Sequence, residues 1–462
     1  MLALLISLIF PVCNTPGTHN QPAVAFGGGY YLVVWHTYLN GTHQIRAARV
    51  DTLGNVLEPG GIILYSNPSP SANPAVAAGD STWLVAWETE TDTGLGMYGD
   101  TVYASSILAA EIPYSNPFSF VWAIIADGCA TWFQGSNYDL VRLSRGNNGF
   151  FLMCNGSGRG YGFVTLWPVG KFAVGLAEME TLGITPLFQR PDGFLPYTGI
   201  LAYGDSVFLS VCVDDFITTI GKLMSGSINI YEHEFTGDTF AIPSASVHYW
   251  YEPQDLIASA FGNGWFLLLS PKAYEDGLSL LINRHDTTNQ KPLGAFPPSG
   301  ARNTTAEFSP ILDQFCGYWE QQGQIYGAGI DTTGAIDGPY FVLPGRDPDV
   351  AYGAGRLLMA YTWGNEIWAG FVEGNCGTVD VGGELGDGTG LFLGVYPNPS
   401  SGQFTIRFSV PQGARYTLRL YDSAGRLVRE MPDINGEQLS PGVYILRLET
   451  DRGSVSRRVV IN

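Results

Sequence analysis

Residues 22–35 read PAVAFGGGYYLVVW: a short apolar run, a glycine turn, then a longer apolar run. Residues 74–87, PAVAAGDSTWLVAW, repeat the wording position by position. After the first copy, HQIRAARVD alternates between apolar and polar, TLGN turns the chain, and VLEPGGIILY carries a fourth run. Short alternating or continuous apolar runs joined by Gly, Asn and Asp turns predict an antiparallel meander of four strands. Glycine recurs at the turns because those positions ask for positive φ.

The unit returns along the chain. QIRAARVDTLGNV (44–56) matches QIYGAGIDTTGAI (324–336), and EIWAGFVEG (366–374) is a looser copy. Degenerate versions of the first-strand, turn, second-strand pattern start at Asp139, Thr198, Asp255, Ser309 and Asp347, which with the opening pair makes seven units. Residues 113–134 read as an insertion or as the outer strand of the second unit. A four-stranded meander cannot bury both faces alone, and radial repetition lets each sheet cover the next. The expected fold is all-β: a seven-bladed β-propeller over residues 20–376, with six or eight blades or a solenoid of meanders as alternatives. The Pro, Val, Ala, Gly, Leu, Val and Trp shared by the two opening stretches resemble a family of secreted bacterial propeller-like repeat proteins. That resemblance implies fold and secretion, and no single activity.

Residues 377–394 are Gly-rich, acidic and without period, and read as a linker. Beyond them FTIRFSV, YTLRLYD, GVYILRLET and SRRVVI alternate as strands, predicting a small Ig-like β-sandwich over residues 395–462. This piece resembles the type A C-terminal sorting domain of the type IX secretion system. The resemblance is carried by YPNPSSGQFTI (396–406), LYDSAGRLV (420–428) and LSPGVYILRL followed by RRVVI. Its marking residues are Tyr396, Pro397, Asn398, Pro399, Gly402, Gly425, Pro441, Gly442 and Tyr444. The resemblance implies the type IX machinery as partner and a secreted or outer-surface location.

Charge changes what can bind. The chain of 462 residues carries 42 acidic against 23 basic side chains, a net −19. Such a surface repels phosphate backbones, which excludes nucleic acid and anionic membranes as natural partners. From Tyr396 onward nine Arg face six Asp and Glu, so the sign reverses at the expected domain boundary. The apolar run LALLISLIF (2–10) is too short to span a bilayer and suits a secretory leader, expected over 1–19, leaving no transmembrane span in the mature chain. The six cysteines form no C-x-x-C pair. Zinc is therefore not expected, and the cysteines read as small buried hydrophobes rather than disulfides.

Catalytic motifs are missing from the sequence. There is no P-loop and no HExxH; NGSGRG (155–160) lacks a nucleophile-elbow context, and ADGCATW (126–132) has the wrong offset for a sialidase Asp box. DTTGAIDG (331–338) lacks the alternating oxygen ligands of a calcium loop and reads as a repeat turn. His233 lies between Glu232 and Glu234 on a strand, facing away from both. No catalytic residue, metal ligand or cofactor is assigned, and a cation such as Ca is left open without a motif that signals it.

Topology selects one constellation instead. The loops leaving the second strand of every blade emerge on one face, around the centre of the wheel. Read along the chain, that rim holds His36, Glu88, Asp214, Asp215, Glu275, Asp276, Glu320 and Trp363, with Lys272 and Tyr274 beside them. The leading expectation is a non-catalytic protein that binds extracellular glycan or protein through this face. The alternative is a polysaccharide hydrolase or lyase using two rim carboxylates. A structural role in an external layer is a third reading.

Overall fold

The structure is a computed structural model. It describes residues 9–95, 101–131, 258–269, 278–284, 289–373, 378–379, 392–396, 405–409, 415–430, 439–451 and 453–461. Residues 271 and 376, and between 142 and 239 the strands named below, complete the described part.

All regular structure among the described residues is β, mostly in four-stranded antiparallel sheets that follow one another in sequence. The first sheet is Thr18–Gly27, Tyr30–Leu39, Thr42–Val50 and Ile62–Asn67, and the second is Ser71–Ala78, Thr82–Leu95, Thr101–Pro113 and Val121–Thr131. Residues 121–131 of the ambiguous 113–134 stretch are thus an outer strand. The third sheet is Arg142–Arg145, Gly149–Gly156, Tyr161–Pro168 and Thr185–Pro186, and the fourth Thr198–Gly204, Val207–Val213, Thr218–Ser225 and Gly237–Thr239. The fifth is Ala258–Gly262, Trp265–Leu269, Leu278–Asn283 and Gln290–Ala295, and the sixth Arg302–Ser309, Gln314–Gln321, Gln324–Asp331 and Ile336–Pro344.

The seventh sheet is built from both ends of the repeat region. Arg346–Gly353, Arg356–Trp363 and Glu366–Glu373 supply three strands, and Ile9–Cys13 pairs antiparallel with the third, Ile9 opposite Gly370. Thr378–Val379 pairs with the same strand further along. Ile9–Cys13 falls within the stretch expected as a leader. Phe10 and Val12, 7% and 2% exposed, belong to the core shared by the first and seventh sheets.

First strands pack on first strands. Thr18–Gly27 lies against Ser71–Ala78, and the pattern continues from sheet to sheet until Arg346–Gly353 returns to Thr18–Gly27. The result is a closed, propeller-like arrangement in which every first strand is innermost. Two features of the repeated wording follow from this packing. The aromatic near the end of the second strand (Trp35, Trp87, Trp319, Tyr361) is fully buried. The glycine ending the first strand leaves room for the neighbouring sheet's ring: a Cβ on Gly353 would sit inside Phe26, and one on Gly262 inside Phe308. In the second sheet the ring position is Ala78, and Tyr114 fills the space over Gly27 instead.

Cys316 and Cys376 form a disulfide across 60 residues, tying the chain beyond the seventh sheet's third strand to the sixth sheet. This corrects the reading of those two cysteines as plain buried hydrophobes. Both are indeed buried, but the chain folds back after Glu373 and brings distant thiols together, which spacing does not reveal. Cys13 is a buried thiol beside His19.

At the C-terminus, Leu427–Glu430, Tyr416–Asp422, Gly442–Thr450 and Gly453–Ile461 form one sheet, and Phe392–Tyr396 pairs with Thr405–Ser409 in a second. Leu393 of the hairpin shares a core with Leu418, Leu420, Leu446, Leu448 and Val459 of the larger sheet. The first of these strands begins at Phe392, inside the stretch expected as linker.

Candidate functional site

The predicted rim is built on a local irregularity of the first strands. In the first, second, sixth and seventh sheets the register slips between Asn20 and Ala23, Ala72 and Ala75, Arg302 and Thr305, and Arg346 and Asp349. Within each bulge one residue has a left-handed backbone: Gln21 (φ 52°), Asn73 (52°), Asn303 (48°) and Asp347 (50°). Non-glycine residues enter that region at a cost of about 1–3 kcal/mol, least for Asn and Asp, unless the surroundings compensate.

Here the surroundings do. Gln21 Nε2 donates to Asn73 Oδ1 at 2.7 Å, and Asn73 N donates back to Gln21 Oε1 at 3.1 Å. Asn303 Nδ2 donates to Asp347 Oδ1 at 2.9 Å, and the Gln21 backbone N–H also reaches Asp347. Four bulge residues from four sheets thus form one hydrogen-bonded chain along the innermost strands. Thr362 Oγ1 adds a bond to Asp347 Oδ2 at 3.2 Å.

Glu320 joins this chain. Its Oε2 accepts from Asn303 Nδ2 at 3.0 Å and from Asp347 N at 3.3 Å. The Asn303 amide therefore holds the Glu320 and Asp347 carboxylates within two hydrogen-bond lengths of each other. Burial raises the pKa of both, and for Glu320 the neighbouring Asp347 charge adds to the rise. Arg346 Nε stands 3.8 Å from Asp347 Oδ2. Below this pair a second one lines the inner strands. Asp349 accepts from Val24 N and Thr305 Oγ1, both at 2.8 Å, stitching three sheets together. Burial and then the Asp349 charge push Glu307 up to about 8.

Other rim residues are less open than loop tips. His36 and Glu88 lie inside their second strands, which continue to Leu39 and Leu95, and not in the loops expected to follow; both are buried, 7% and 3% exposed, in register with Asn20 and Ala72. His36 Nδ1 meets Asn20 Oδ1 at 2.8 Å, and its Nε2 meets His43 Nδ1 at 2.9 Å. Burial, then the neighbouring His43 and His19, hold His36 down at about 4. Trp363 stacks edge-on against Trp368, ring centroids 5.5 Å apart, beside the hairpin leading to Glu366. Tyr38, 45% exposed, stands over His43 on the neighbouring hairpin. Asp214, Asp215, Glu275 and Asp276, with Lys272, Tyr274 and His233, lie outside the described residues. Among the described residues no three His, Cys, Asp or Glu gather as a metal site.

The structure therefore brings Glu320 together with Asp347, Asn303 and Thr362, partners that inspection of second-strand ends does not find. A signal existed. A polar residue precedes Pro or Thr in the first strands of these four sheets, in Gln21-Pro22, Asn73-Pro74, Asn303-Thr304 and Asp347-Pro348.

In the C-terminal sheet the central motif is an Asx-capped hairpin. Asp422 Oδ1 accepts from the N–H of Ala424 and of Arg426, both at 2.9 Å, around Gly425 at φ 77°. Asp51 and Asp331 cap the turns of the first and sixth sheets in the same way. Pro441 and Gly442 lead into the strand that carries Tyr444, whose hydroxyl donates to Ser440 O at 2.8 Å. Tyr396 ends its strand, and Pro397, Asn398, Pro399 and Gly402 lie outside the described residues.

Comparison with solved structures gives distant likenesses. Apo prolyl oligopeptidase B from Galerina marginata is 9% identical, with 94% of this chain and 56% of that one covered and a TM-score of 0.43. Trypanosoma rangeli sialidase in complex with 2,3-difluorosialic acid is 8% identical, with 77% and 54% covered and a TM-score of 0.39. The chain spans about half the length of the oligopeptidase it matches. Comparison with curated proteins gives no match. Residues 394–462 match the family model described as the secretion system C-terminal sorting domain. The charge reversal, the ordered motifs and this match agree: the chain ends in a type IX secretion C-terminal sorting domain, which marks it as a secreted or outer-surface protein.

Proposed function

We propose that the protein is an exported seven-bladed β-propeller that binds extracellular glycan or protein through its second-to-third-strand face and does no chemistry there. The closed succession of first strands supports the blade number, and the paired C-terminal sheets with a common core support an Ig-like sandwich as the export domain. One observation carries the non-catalytic reading: the Glu320 and Asp347 carboxylates are committed to hydrogen bonds that hold neighbouring sheets together. A group tied into the frame is poorly placed to move protons during turnover. Tyr38 and Trp363, on hairpins of adjacent sheets, offer aromatic surface of the kind on which sugars stack.

The test is a glycan array and a capture experiment from culture medium with the full chain, and again with the hairpins 39–42 and 363–366 replaced. Binding lost with the hairpins is the expected result; polymer turnover without retained ligand sinks the reading. The second reading, a polysaccharide hydrolase, draws on the raised Glu320 carboxyl beside Asp347, an arrangement that can supply an acid and its partner. Glu320→Gln separates the two. Abolished turnover with the sheet contacts intact supports the hydrolase; unchanged binding and no turnover in either protein supports the binding module.

A further inference from the structure

Ile9–Cys13 lies in a stretch whose composition reads as an export leader, yet Phe10, Val12 and Cys13 are buried in the repeat domain. The strand pairs along the third strand of the seventh sheet: Ile9 stands opposite Gly370, Phe10 opposite Ala369, Pro11 opposite Trp368 and Cys13 opposite Ile367. We propose that maturation for export leaves this strand on the protein: any leader is cut on the N-terminal side of Ile9, and Cys13 stays a free thiol that carries no lipid. The proposal rests on the exported location and is independent of the ligand proposed above.

Three features carry it. First, the strand is part of the seam between the first and seventh sheets. Phe10 and Val12 share a core with Val24, Tyr31, Trp35 and Val50 of the first sheet and with Leu358 and Phe371 of the seventh. The rings of Phe10 and Phe371 have centroids 6.4 Å apart. A cut after Cys13 removes these side chains, opens the seam to water and bares the edge of residues 367–370 as a row of unpaired backbone groups. Second, the strand is bonded to the first sheet as well: Gly60 N–H, in the loop before the fourth strand of that sheet, donates to Val12 O at 3.4 Å. Pro11 suits the place, because the strand is outermost in its sheet and proline has no N–H to give to a further neighbour.

Third, the residues that follow are packed too. His19 is fully buried; its Nε2 donates to Thr15 O at 2.9 Å, and its Nδ1 meets Thr37 Oγ1 at 2.9 Å. A cut between Cys13 and His19 brings a charged α-amino group to this buried ring. A cut after His19 removes the ring and shortens the strand Thr18–Gly27. Lipid on Cys13 meets the same obstacle. Its sulfur, 1% exposed, meets Thr15 Oγ1 at 3.2 Å and lies 3.6 Å from His19 Nε2, so an acyl chain attached there has no path to a membrane. Composition hides the boundary for a physical reason. A buried strand and the core of a leader are both short apolar runs, so LALLISLIF carries no mark where one ends and the other begins.

The test uses the native protein recovered from the culture medium and from the cell surface. Mass spectrometry of the intact chain and of its N-terminal peptide, after denaturation and thiol alkylation, reads the first residue and the state of Cys13. The expected result is a first residue at or before Ile9, with Cys13 fully alkylated. A first residue anywhere from Phe10 onward, or an acyl mass on Cys13, overturns the proposal. A second measurement asks whether the retained strand is packed as described. Phe10→Ala in the full chain should lower the melting temperature by at least about 5 °C, and an unchanged melting temperature also overturns the proposal. If Phe10→Ala is not recovered folded, the first residue of the wild-type protein decides the matter.

Discussion

Gly353→Ala tests the seam between the seventh and first sheets. The added methyl would fall inside the Phe26 ring. That ring has little room to retreat, because it lies 4.7 Å from Tyr31, whose hydroxyl is bonded to Gly353 O and Arg356 O at 2.6 and 3.0 Å. Overpacking of this kind costs about 1–3 kcal/mol. Gly353 does not have the left-handed backbone that would penalise alanine by itself, so the whole cost belongs to the clash. Phe26→Ala alone should cost about 3 kcal/mol through lost burial and a cavity. In the double variant the methyl enters the vacated space, and alanine gains about 0.5 kcal/mol by stiffening the unfolded chain. The two changes should therefore couple by at least about 1.5 kcal/mol. Urea unfolding followed by the fluorescence of the eleven tryptophans measures it. If Gly353→Ala costs the same with and without the Phe26 ring, the explanation of the repeated glycine is wrong.

Three further outcomes follow from features already described. Reducing the Cys316–Cys376 bridge, or replacing both cysteines with alanine, frees a 60-residue loop and should lower stability by up to about 4 kcal/mol, read as a lower urea midpoint; identical midpoints with and without reductant would contradict this. Glu307 lies up at about 8 in the folded chain against an ordinary 4.5, so the unfolded chain gives up its proton first. Its contribution is complete below about 4.5 and is lost as pH climbs through about 8; Glu307→Gln should flatten that decline in a thermal-melting series, and an unchanged slope would remove Glu307 as its source. Asp347→Ala deletes the acceptor of Asn303, Thr362 and Gln21 at a left-handed position. It should destabilise by about 2–3 kcal/mol, with Asp347→Asn recovering part of the loss in the same unfolding assay.

Much of the frame could be read from the chain. The duplicated apolar runs marked first and second strands correctly in the opening sheets, and Asp51 and Asp331 turned the chain where the TLGN and TTGA wording placed turns. The site was legible only in part. Sequence period tells where Glu320 stands along its strand, but Asn303 and Asp347 reach it from other strands, through bulges that period-two counting skips. The Cys316–Cys376 bond and the place of Ile9–Cys13 depend on long-range return of the chain, which a local pattern does not encode.

That return has a temporal meaning. Ile9–Cys13 completes a sheet whose remaining strands begin at Arg346, and Val24 and Tyr31 are bonded to residues 325 and 322 positions away. A chain emerging with its N-terminus first therefore carries a waiting latch until the strands from Arg346 to Glu373 have been made. Closure of so long a circuit is slow, and it comes last.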